Sequence, residues 1–593
     1  MPDISNDAVA EALREIGEYL EMQDVPFKPR AYEKAALTVG GLETQAAEIY
    51  KKDGVKGLMG IPGIGMGIAQ KIEELLTTGR VKERDELAKK VPVNLRELSG
   101  IEGLGPKTIK KLYQTLGVKN RADLARALKA GKVAGLAGFG KKSEEKITKN
   151  LGFAAGNTRF ILGDTAPAVH AIIARLEKIK GVTRVAIAGS ARRKKETIGD
   201  ADILLALGDH RAPGGRGMSP TATVMESFVS MPDVVNVIAH GDTKSSVKLR
   251  SGLNVDLRVV PKKSYGAALN YFTGSKDHNV ALRQIALKKG WKLNEYGLFK
   301  TSRGGGSETM IAGASEEELY KKFGMDYIEP ELRENTGEIK AALRHSLPKL
   351  VGYGDLQGDL QTQTDWTDGA DSIEVMARAA AARGLKYIVI TDHTKRLAMT
   401  HGLDEKRLLK QMAEIDRLNK KLAGKIKILK GSECDILKDG TLDLSDAALS
   451  RLDVVGVSVH SHFNLSRADQ TARVLRAIAN PNADILFHPT GRIINRRPPI
   501  ELDMDAVITA AKKTGTVMEV NSFPERADLK DEHVRACVDL GVKLAIDSDG
   551  HAVRHFDLLE WGIAQARRGW AERKDVINAW PLEKMLGSLK KGK

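Results

Sequence analysis

The first 150 residues carry apolar positions at helical spacing, in short segments separated by glycines. Residues 8–22 and 30–39 each present one apolar face and predict amphipathic helices. Three glycine hairpins follow, and each of them opens a basic helix. Such repetition indicates one structural module that is used more than once. The hairpins are Gly60-Ile-Pro-Gly-Ile-Gly65, Gly100-Ile-Glu-Gly-Leu-Gly105 and Gly135-Leu-Ala-Gly-Phe-Gly140.

Runs of β-branched residues replace the helical pattern near residue 180. A helical segment is predicted later, at residues 265–290. Residues 329–350 are charged, contain proline and are weakly apolar, so they predict a linker. The β-branched runs predict strands at residues 182–188, 203–207, 234–238 and 254–260.

From residue 351 onward, short apolar strands alternate with helical segments, and polar residues collect where the strands end. Polar side chains at the carboxyl ends of alternating strands are typical of the active-site rim of a barrel-like α/β fold. The predicted strand at 386–391 runs into Asp392-His393, 426–432 into Glu433, 453–459 into His460, 484–487 into His488, and 542–546 into Asp547-Ser-Asp549-Gly-His551.

Length and composition indicate a multidomain protein with a polyanionic partner. The 593 residues predict about four domains. The 93 Lys+Arg and 77 Asp+Glu residues give a net charge of +16, which favours nucleic acid only modestly over a merely soluble surface. The hydrophobic content of 42% excludes a largely disordered chain, and two cysteines exclude a disulfide framework and an all-cysteine zinc site. No apolar run approaches the ~18 residues of a membrane span, so we expect a cytoplasmic protein.

Three aspartates in the middle of the chain are placed to form a metal site. Asp200 and Asp202 lie two apart at the start of a strand, so both carboxylates project from one face. Asp256 lies in a later strand, where alternation places its side chain on the face opposite to that of its apolar neighbours. Three convergent carboxylates suit two Mg²⁺ or Mn²⁺ ions, which can activate a hydroxyl and neutralise a leaving phosphate. Asp-x-Asp alone is common on surface turns, but the upstream Gly189-Ser190 turn and Arg193 can hold a triphosphate.

Two further segments carry a family resemblance. Asn270-Tyr-Phe-Thr-Gly-Ser-Lys-Asp-His-Asn279 and Leu293-Asn-Glu-Tyr-Gly-Leu298, with the hairpins and aspartates, resemble the X family of DNA polymerases over residues 1–328. The resemblance implies that the three aspartates are the catalytic metal ligands and that deoxynucleoside triphosphates are the substrates. It implies a nucleotide site in which two aromatics exclude a 2′-hydroxyl, although the same pair would also suit a helix core. The implied nucleotide-binding residues are Gly189, Ser190, Arg193, Tyr271, Phe272, Gly274, Asn279 and Arg283.

The glycine hairpins predict DNA binding without sequence preference. A Gly-apolar-Gly turn between helices directs backbone N–H groups at a phosphate, and nearby lysines add a salt-dependent contact. A tight turn that needs glycine for positive φ explains any single copy, but the repetition favours DNA. The expected contacts are Gly63, Gly65, Gly103, Gly105 and Lys107.

A lyase activity is a further implication of the resemblance. In the X family, the first helix-hairpin-helix domain can cleave a 5′-deoxyribose phosphate through a lysine Schiff base, and Lys71 matches that lysine. The sequence departs from the pattern nearby, because Gly67 and Glu33 stand where basic residues are expected. A lone lysine on a helix is usually a solvated charge, so the lyase prediction depends on Lys71 alone.

The polar strand ends of the last 240 residues resemble a PHP domain, named for polymerase and histidinol phosphatase. The motifs include Gly358-Asp-Leu-Gln-Thr-Gln-Thr364, Thr367-Asp-Gly369 and His488-Pro-Thr-Gly491. The resemblance implies a distorted (β/α)7 TIM-like barrel that binds up to three Zn²⁺ or Mn²⁺ ions and hydrolyses phosphoesters. In related enzymes the domain supplies 3′→5′ exonuclease activity. The implied metal ligands are Asp368, His393, Glu433, His460, His488, Asp549 and His551.

Two expected ligands are missing from this set. Gln361 and Gln363 stand where the third metal sub-site of the family has a His-x-His pair. A neutral amide oxygen is a weaker ligand for Zn²⁺ or Mn²⁺ than an imidazole nitrogen, and only Asp365 lies nearby as a substitute. Loss of one ion would misplace the attacking hydroxide, which favours a structural or vestigial metal site over an active nuclease.

Together these features predict a multidomain chain of the α+β and α/β classes. Helix-hairpin-helix domains come first, a nucleotidyltransferase palm with its thumb follows, and the PHP barrel comes last. The predicted boundaries are 1–88 for an 8-kDa-like helical domain, 89–150 for a fingers-type domain, 151–262 for the palm, 263–328 for the thumb, 329–350 for the linker and 351–593 for the barrel.

Three functions are consistent with this organisation. The first is a monomeric, nucleoid-associated DNA polymerase that fills short gaps in repair and binds gapped or primer–template DNA. The second is a DNA end-processing nuclease, a 3′→5′ exonuclease or abasic-site endonuclease, with an auxiliary polymerase module. The third is a non-catalytic module that binds DNA ends, which requires that both metal sites fail.

Overall fold

The computed structural model describes residues 4–40, 42, 44–99, 101, 104–136, 138–141, 143–145, 147, 148, 151, 159–208, 219–301, 308–397 and 400–590. No helix within these ranges is both long and apolar enough to cross a membrane.

The amino-terminal region consists of short helices joined by turns, as the apolar spacing predicted. The first two helices pack through their apolar faces, and Val9, Leu13 and Ile16 are buried between them and their neighbours. The Ser5 hydroxyl caps the first helix by accepting a hydrogen bond from the Ala8 N–H. The helices are Asn6–Met22, Lys28–Gly40, Ala46–Met59, Met66–Thr78, Lys82–Lys90, Leu95–Leu98, Pro106–Leu116 and Arg121–Lys129.

The strands of the next unit are β1 (Phe160–Ile161), β2 (Val182–Ile187), β3 (Thr197–Ile198), β4 (Asp200–Leu207), β5 (Val234–His240), β6 (Lys244–Leu249) and β7 (Asn254–Val260). Five of them form a sheet with the order β2-β4-β7-β6-β5. Strands β4 and β7 are parallel, and the other neighbouring pairs are antiparallel. The helices Leu162–Glu177 and Pro220–Val229 contribute to the apolar core on one face of the sheet.

The predicted helical segment at 265–290 is two helices. Gly274, one of the predicted nucleotide-binding residues, has φ +69° and ends the first of them. A three-stranded antiparallel sheet and one more helix follow. The elements are Tyr265–Thr273, Lys276–Lys288, β8 (Trp291–Asn294), β9 (Gly297–Thr301), β10 (Glu308–Ala312) and Glu316–Phe323.

The segment 329–350, predicted as a linker, is packed rather than extended. It contains the helix Glu338–Leu343, and the side chains of Arg333 and Glu338 are completely buried. Each buried charge has a partner from the preceding unit: Arg333 Nη1 lies 2.5 Å from Glu316 Oε1, and Glu338 Oε1 lies 2.7 Å from His278 Nδ1. Charged residues therefore form part of a core here, because they are paired.

The carboxy-terminal unit is the predicted barrel of seven parallel strands, arranged in sequence order. It closes where the Gln363 N–H donates to the Gly550 carbonyl over 2.8 Å. The strands are β11 (Gly358–Thr362), β12 (Tyr387–Ile390), β13 (Lys427–Asp435), β14 (Val454–Ser458), β15 (Ile485–Leu486), β16 (Val517–Asn521) and β17 (Leu544–Asp547). The helices are Ile373–Ala382, Glu405–Lys421, Asp446–Leu449, Arg467–Ala479, Met504–Thr514, Asp531–Leu540, Leu559–Arg568 and Leu582–Leu586.

Candidate active sites

The first candidate site lies where β4 and β7 run side by side. Their parallel register places Asp202 opposite Asp256, and Asp200 lies two residues before Asp202 on the same face. Burial raises the pKa of Asp202, the charges of Asp200 and Asp256 add to the shift, and together they bring this pKa to about 6. Lys244 from β6 offsets part of this charge, because its Nζ lies 2.8 Å from Asp256 Oδ2. A cluster of hard oxygen donors with excess negative charge fits divalent cations.

A tight turn approaches these carboxylates from the end of β2. Gly189 has φ +63°, and a Cβ at this position would lie 2.4 Å from Asp202 Oδ2. Only glycine therefore allows the backbone to come this close. Ser190 is the second residue of the one-turn helix Gly189–Arg192. The turn thus brings the backbone at Gly189 beside Asp202, and Ser190 directly follows it.

Arg193, the predicted triphosphate ligand, is engaged by side chains that the sequence did not indicate. Its Nε lies 3.0 Å from Glu334 Oε1, and its Nη1 donates to the Thr273 carbonyl. Glu334 lies in the segment predicted as a linker, 141 residues away along the chain. Sequence spacing carries no signal for such a long-range partner.

The four other predicted nucleotide-site residues with side chains form one connected group. The rings of Tyr271 and Phe272 meet edge to face at 5.2 Å, and Arg258 lies 4.5 Å from the Phe272 ring centre. Asn279 Nδ2 donates to the Tyr271 carbonyl over 2.7 Å, and Arg283 Nε donates to the Asn279 carbonyl over 3.3 Å. The buried Asn279 Oδ1 has no partner, so it remains able to accept a hydrogen bond.

The second candidate site lies at the carboxyl ends of the barrel strands. Among the described residues, two groups have ligating atoms that all lie within 4.8 Å of one another: Asp368, His393 and His551, and His393, Glu433 and His460. His393 is shared between them, with Nε2 3.6 Å from Asp368 and Nδ1 3.4 Å from Glu433. The three aspartates of the first site do not meet this distance limit.

The carboxylates of the barrel site favour positive charge on the neighbouring histidines. Burial disfavours protonation, yet Glu433 raises the pKa of His460 to about 9, and Asp368 raises that of His551 to about 10. Burial also works against ionised Glu433, but the neighbouring imidazoles hold its pKa well below the usual range. His488 joins this cluster, with Nε2 2.8 Å from Glu433 Oε1. The imidazole nitrogens that carry these protons are atoms that can bind a metal ion, and a bound metal would displace the protons. The donor set therefore fits metal ions.

Asp549 belongs to neither group of ligands. Its Oδ2 accepts a hydrogen bond from Asn521 Nδ2 over 3.1 Å and lies 3.4 Å from Arg526 Nε. Asn521 ends β16, which with β11 is one of two barrel strands that the sequence pattern did not predict, and Arg526 follows five residues later. The apolar run that ends at Asn521 is a local signal for this strand end, whereas Arg526 carries no such signal.

Gln361 and Gln363 are completely buried. Their side-chain amides contact neighbouring polar groups. Gln363 Nε2 donates to Glu433 Oε2 over 2.8 Å. Gln361 Oε1 accepts from Asn521 Nδ2 over 3.4 Å, and its Nε2 is buried without a partner. The amide N–H groups of Gln363 and Asn521 therefore donate to Glu433 and Asp549, the carboxylates that a further cation would need as ligands.

The glycine hairpins place two helix starts at the surface of the amino-terminal region. Gly65 precedes the helix Met66–Thr78, Gly105 precedes Pro106–Leu116, and Gly63 has φ +80°. Neither helix has an acidic residue in its first turn, which leaves both starts suited to an anion. Lys107 is 68% exposed beside one of them, with Nζ 3.4 Å from Asp24. Gly103, the remaining predicted contact, lies outside the described residues.

Lys71, the predicted lyase residue, lies on the helix Met66–Thr78. Its Nζ is 3.1 Å from Glu83 Oε2, and its side chain is about a quarter exposed, at 27%. The lysine is thus an ion-paired surface group, and its role as a nucleophile stays a prediction.

Four family models match the chain. Residues 4–81 match a helix-hairpin-helix domain, 95–152 a SAM-like helix-hairpin-helix tandem, 268–334 the DNA polymerase beta thumb, and 359–493 the PHP domain.

Curated relatives cover the whole chain or its parts. The DNA polymerase/3′-5′ exonuclease PolX of Bacillus subtilis (strain 168) is 40% identical over 583 residues, which is 98% of each chain. DNA polymerase lambda of Rattus norvegicus is 27% identical over 289 residues, 46% of this chain and 48% of that protein. A probable phosphatase of Thermoanaerobacter sp. (strain X514) is 32% identical over 185 residues, 30% of this chain and 70% of that protein.

Proposed function

The chain belongs to the X-family DNA polymerases that carry a carboxy-terminal PHP domain, and from this membership we propose that it is a template-dependent DNA polymerase that fills short gaps in DNA repair. The observation that carries the proposal is the register of β4 and β7, which brings Asp200, Asp202 and Asp256 to one face beside the Gly189 turn. The polymerase names of two relatives agree with it.

In the proposed reaction, the primer 3′-oxygen forms a bond to the α-phosphorus of a deoxynucleoside triphosphate, and pyrophosphate leaves. The three aspartates would hold two Mg²⁺ or Mn²⁺ ions, which activate the hydroxyl and neutralise the leaving group when bound. The Gly189-Ser190 turn would orient the triphosphate through its backbone N–H groups. Tyr271 and Phe272, whose rings meet edge to face, would contact the sugar.

Primer extension on gapped DNA tests this proposal. The unmutated protein is expected to add nucleotides with Mg²⁺ or Mn²⁺, and the Asp200→Asn variant is expected to add none. Degradation of single-stranded DNA is measured on the same preparations. Absence of extension by the unmutated protein, with degradation present, would favour the end-processing nuclease instead.

DNA is proposed to bind at the two helix starts, through phosphates and without sequence preference. Lys107→Ala is expected to weaken binding equally for unrelated duplexes, and to reduce the slope of log K against log[salt] by about 0.9. Lys82→Ala is the matched control, because Lys82 is an exposed lysine of the same region (80% exposed) that adjoins no hairpin. Fluorescence anisotropy between low and moderate salt measures both variants. An unchanged slope for Lys107→Ala would place the DNA elsewhere.

The barrel is proposed to bind metal ions at two sub-sites near its two groups of ligands. Asp368, His393 and His551 would hold one ion, and Glu433, His460 and His488 would hold the other. Bound ions would supply a water of lowered pKa and neutralise a phosphoester. This geometry supports the 3′→5′ exonuclease as the second candidate function, and the printed name of the Bacillus subtilis relative includes that activity.

A third ion is not expected in the barrel of this chain. The corner beside Asp549 is filled by the amide of Asn521 and the guanidinium of Arg526, which bring donors rather than ligands. A guanidinium keeps its proton under all ordinary conditions, so it cannot yield its place to a metal as an imidazole does. Arg526 is therefore proposed to supply the positive charge that a third ion would bring.

A further inference from the structure

The palm and the barrel meet at a short segment of the predicted triphosphate site. We name residues 189–196 the phosphate loop; it begins with the helix Gly189–Arg192 and ends before β3. Four successive residues of this loop, from Arg193 to Glu196, interact with the barrel or with an acid that the barrel shares.

Arg568 of the barrel holds the start of this contact. Its Nη1 donates to the Arg193 carbonyl over 2.9 Å and lies 3.2 Å from Glu334 Oε1, the oxygen that also accepts from Arg193 Nε. Its Nη2 is paired with Asp531, and the side chain is only 2% exposed. A buried guanidinium with partners on both sides fixes the backbone of the phosphate loop at Arg193.

Arg492 of the barrel holds the end of the loop. Its two terminal nitrogens lie 2.6 and 3.3 Å from the two oxygens of Glu196, a bidentate pair in which the arginine is 9% exposed. The same guanidinium donates through Nε to the Arg526 carbonyl over 2.8 Å and through Nη2 to the Ala527 carbonyl. The guanidinium that pairs with Glu196 is thus itself held by two backbone carbonyls of the barrel.

Lys194 is fixed between these two anchors. Its Nζ lies 4.5 Å from the ring centre of Trp561, and its backbone has φ +53°, in the left-handed region. This conformation is unfavourable for a lysine, so it requires support from its surroundings. The loop also carries four successive cations, Arg192 to Lys195, which repel one another.

We propose that the barrel domain is a positioning element of the polymerase, in which Arg492, Arg568 and Trp561 hold the phosphate loop in the conformation that receives the nucleotide triphosphate; this rests on the proposed polymerase function. A loop that is ordered before binding loses less conformational entropy when the triphosphate arrives. The barrel thereby serves nucleotide binding whether or not its own metal site hydrolyses DNA.

Steady-state gap filling by the full-length protein tests the proposal. Arg492→Gln is expected to raise the KM for the nucleotide about tenfold and to change kcat much less, because positioning of the bound triphosphate is weakened. Glu196→Gln removes the same pair from the palm side and is expected to give the same increase. The double variant is expected to be no worse than either single variant, because both remove one interaction.

Arg383→Gln is the matched control. Arg383 makes a bidentate pair of the same kind with Asp557, at 2.7 and 3.0 Å, but within the barrel. It is expected to leave the nucleotide KM unchanged. Unchanged KM in both Arg492→Gln and Glu196→Gln, with normal extension by the unmutated protein, overturns the proposal; Glu196→Gln leaves the barrel intact if Arg492→Gln fails to fold. No extension by the unmutated protein would overturn the polymerase function itself.

Discussion

Replacing Asp202 by asparagine is expected to abolish primer extension and, in metal-free buffer, to raise the melting temperature of the protein. Activity is expected to fall by about 10³-fold or more, since one of the three proposed metal ligands loses its charge. Stability is expected to rise because Asp202 is a buried carboxylate between Asp200 and Asp256. The amide has nearly the same size and carries no charge.

The pH dependence of stability distinguishes the removal of the Asp202 charge from a general change in packing. The pKa of Asp202 is raised from 3.8 to about 6 in the folded protein, first by burial and then by the two aspartates. The folded state therefore binds the proton more tightly than the unfolded state. The stability this contributes is present below pH 3.8 and is lost as the pH rises through about 6. At pH 7.5 the free energy of unfolding is lower than at low pH by at most about 3 kcal/mol on account of this group.

Thermal unfolding in EDTA at pH 5 and pH 7.5 measures the effect. Asp202→Asn is expected to gain stability over the unmutated protein at pH 7.5, and roughly half as much at pH 5, because the unfolded carboxyl is already ionised there. Added Mg²⁺ is expected to stabilise the unmutated protein and not the variant. Asp233→Asn, an exposed aspartate of the same unit, serves as control. A variant that still extends primers, or that is destabilised at pH 7.5, would show that Asp202 is not a charged metal ligand.

The local pattern predicted the elements that carry the chemistry, because strands bury one face and end in polar residues. Asp202 and Asp256 were predicted on separate strands, and only the sheet register shows that they lie opposite each other. Strand β6 was not predicted, since Lys244–Leu249 contains two serines that are buried in the structure. A short strand that pairs on both sides needs no apolar alternation to be stable.

Charged residues that are buried by long-range pairing escaped prediction altogether. Arg333 and Glu334 looked like part of a solvated linker, yet Arg333 is completely buried and Glu334 contacts the phosphate loop. Arg526 likewise carries no local sign that its partner is Asp549. Their roles follow from residues more than fifteen positions away, which hydrophobic periodicity does not encode.

Substitutions in the corner of the barrel beside Asp549 are expected to change how many metal ions the barrel binds. Changing Gln361 and Gln363 to histidine together with Arg526→Ala is expected to add one metal ion to the barrel. Two imidazoles then replace two weak amide ligands, and removal of the guanidinium leaves Asp549 without its cation. Metal content after dialysis, measured in an Asp202→Asn background to empty the palm, is expected to rise from two ions to three.

Arg526 is the decisive member of this set, because it bears the charge. The two histidines alone leave a permanent cation 3.4 Å from Asp549, and a divalent ion placed beside it would be repelled. The double variant without Arg526→Ala is therefore expected to stay at two ions, and its degradation of single-stranded DNA to stay at the level of the unmutated protein. The triple variant is expected to degrade it at least about tenfold faster, as metal sites lose activity steeply when their ligands are incomplete. Three ions in the unmutated protein would show that Asp549 binds metal despite Arg526; two ions in the triple variant would show that something other than this guanidinium excludes the third.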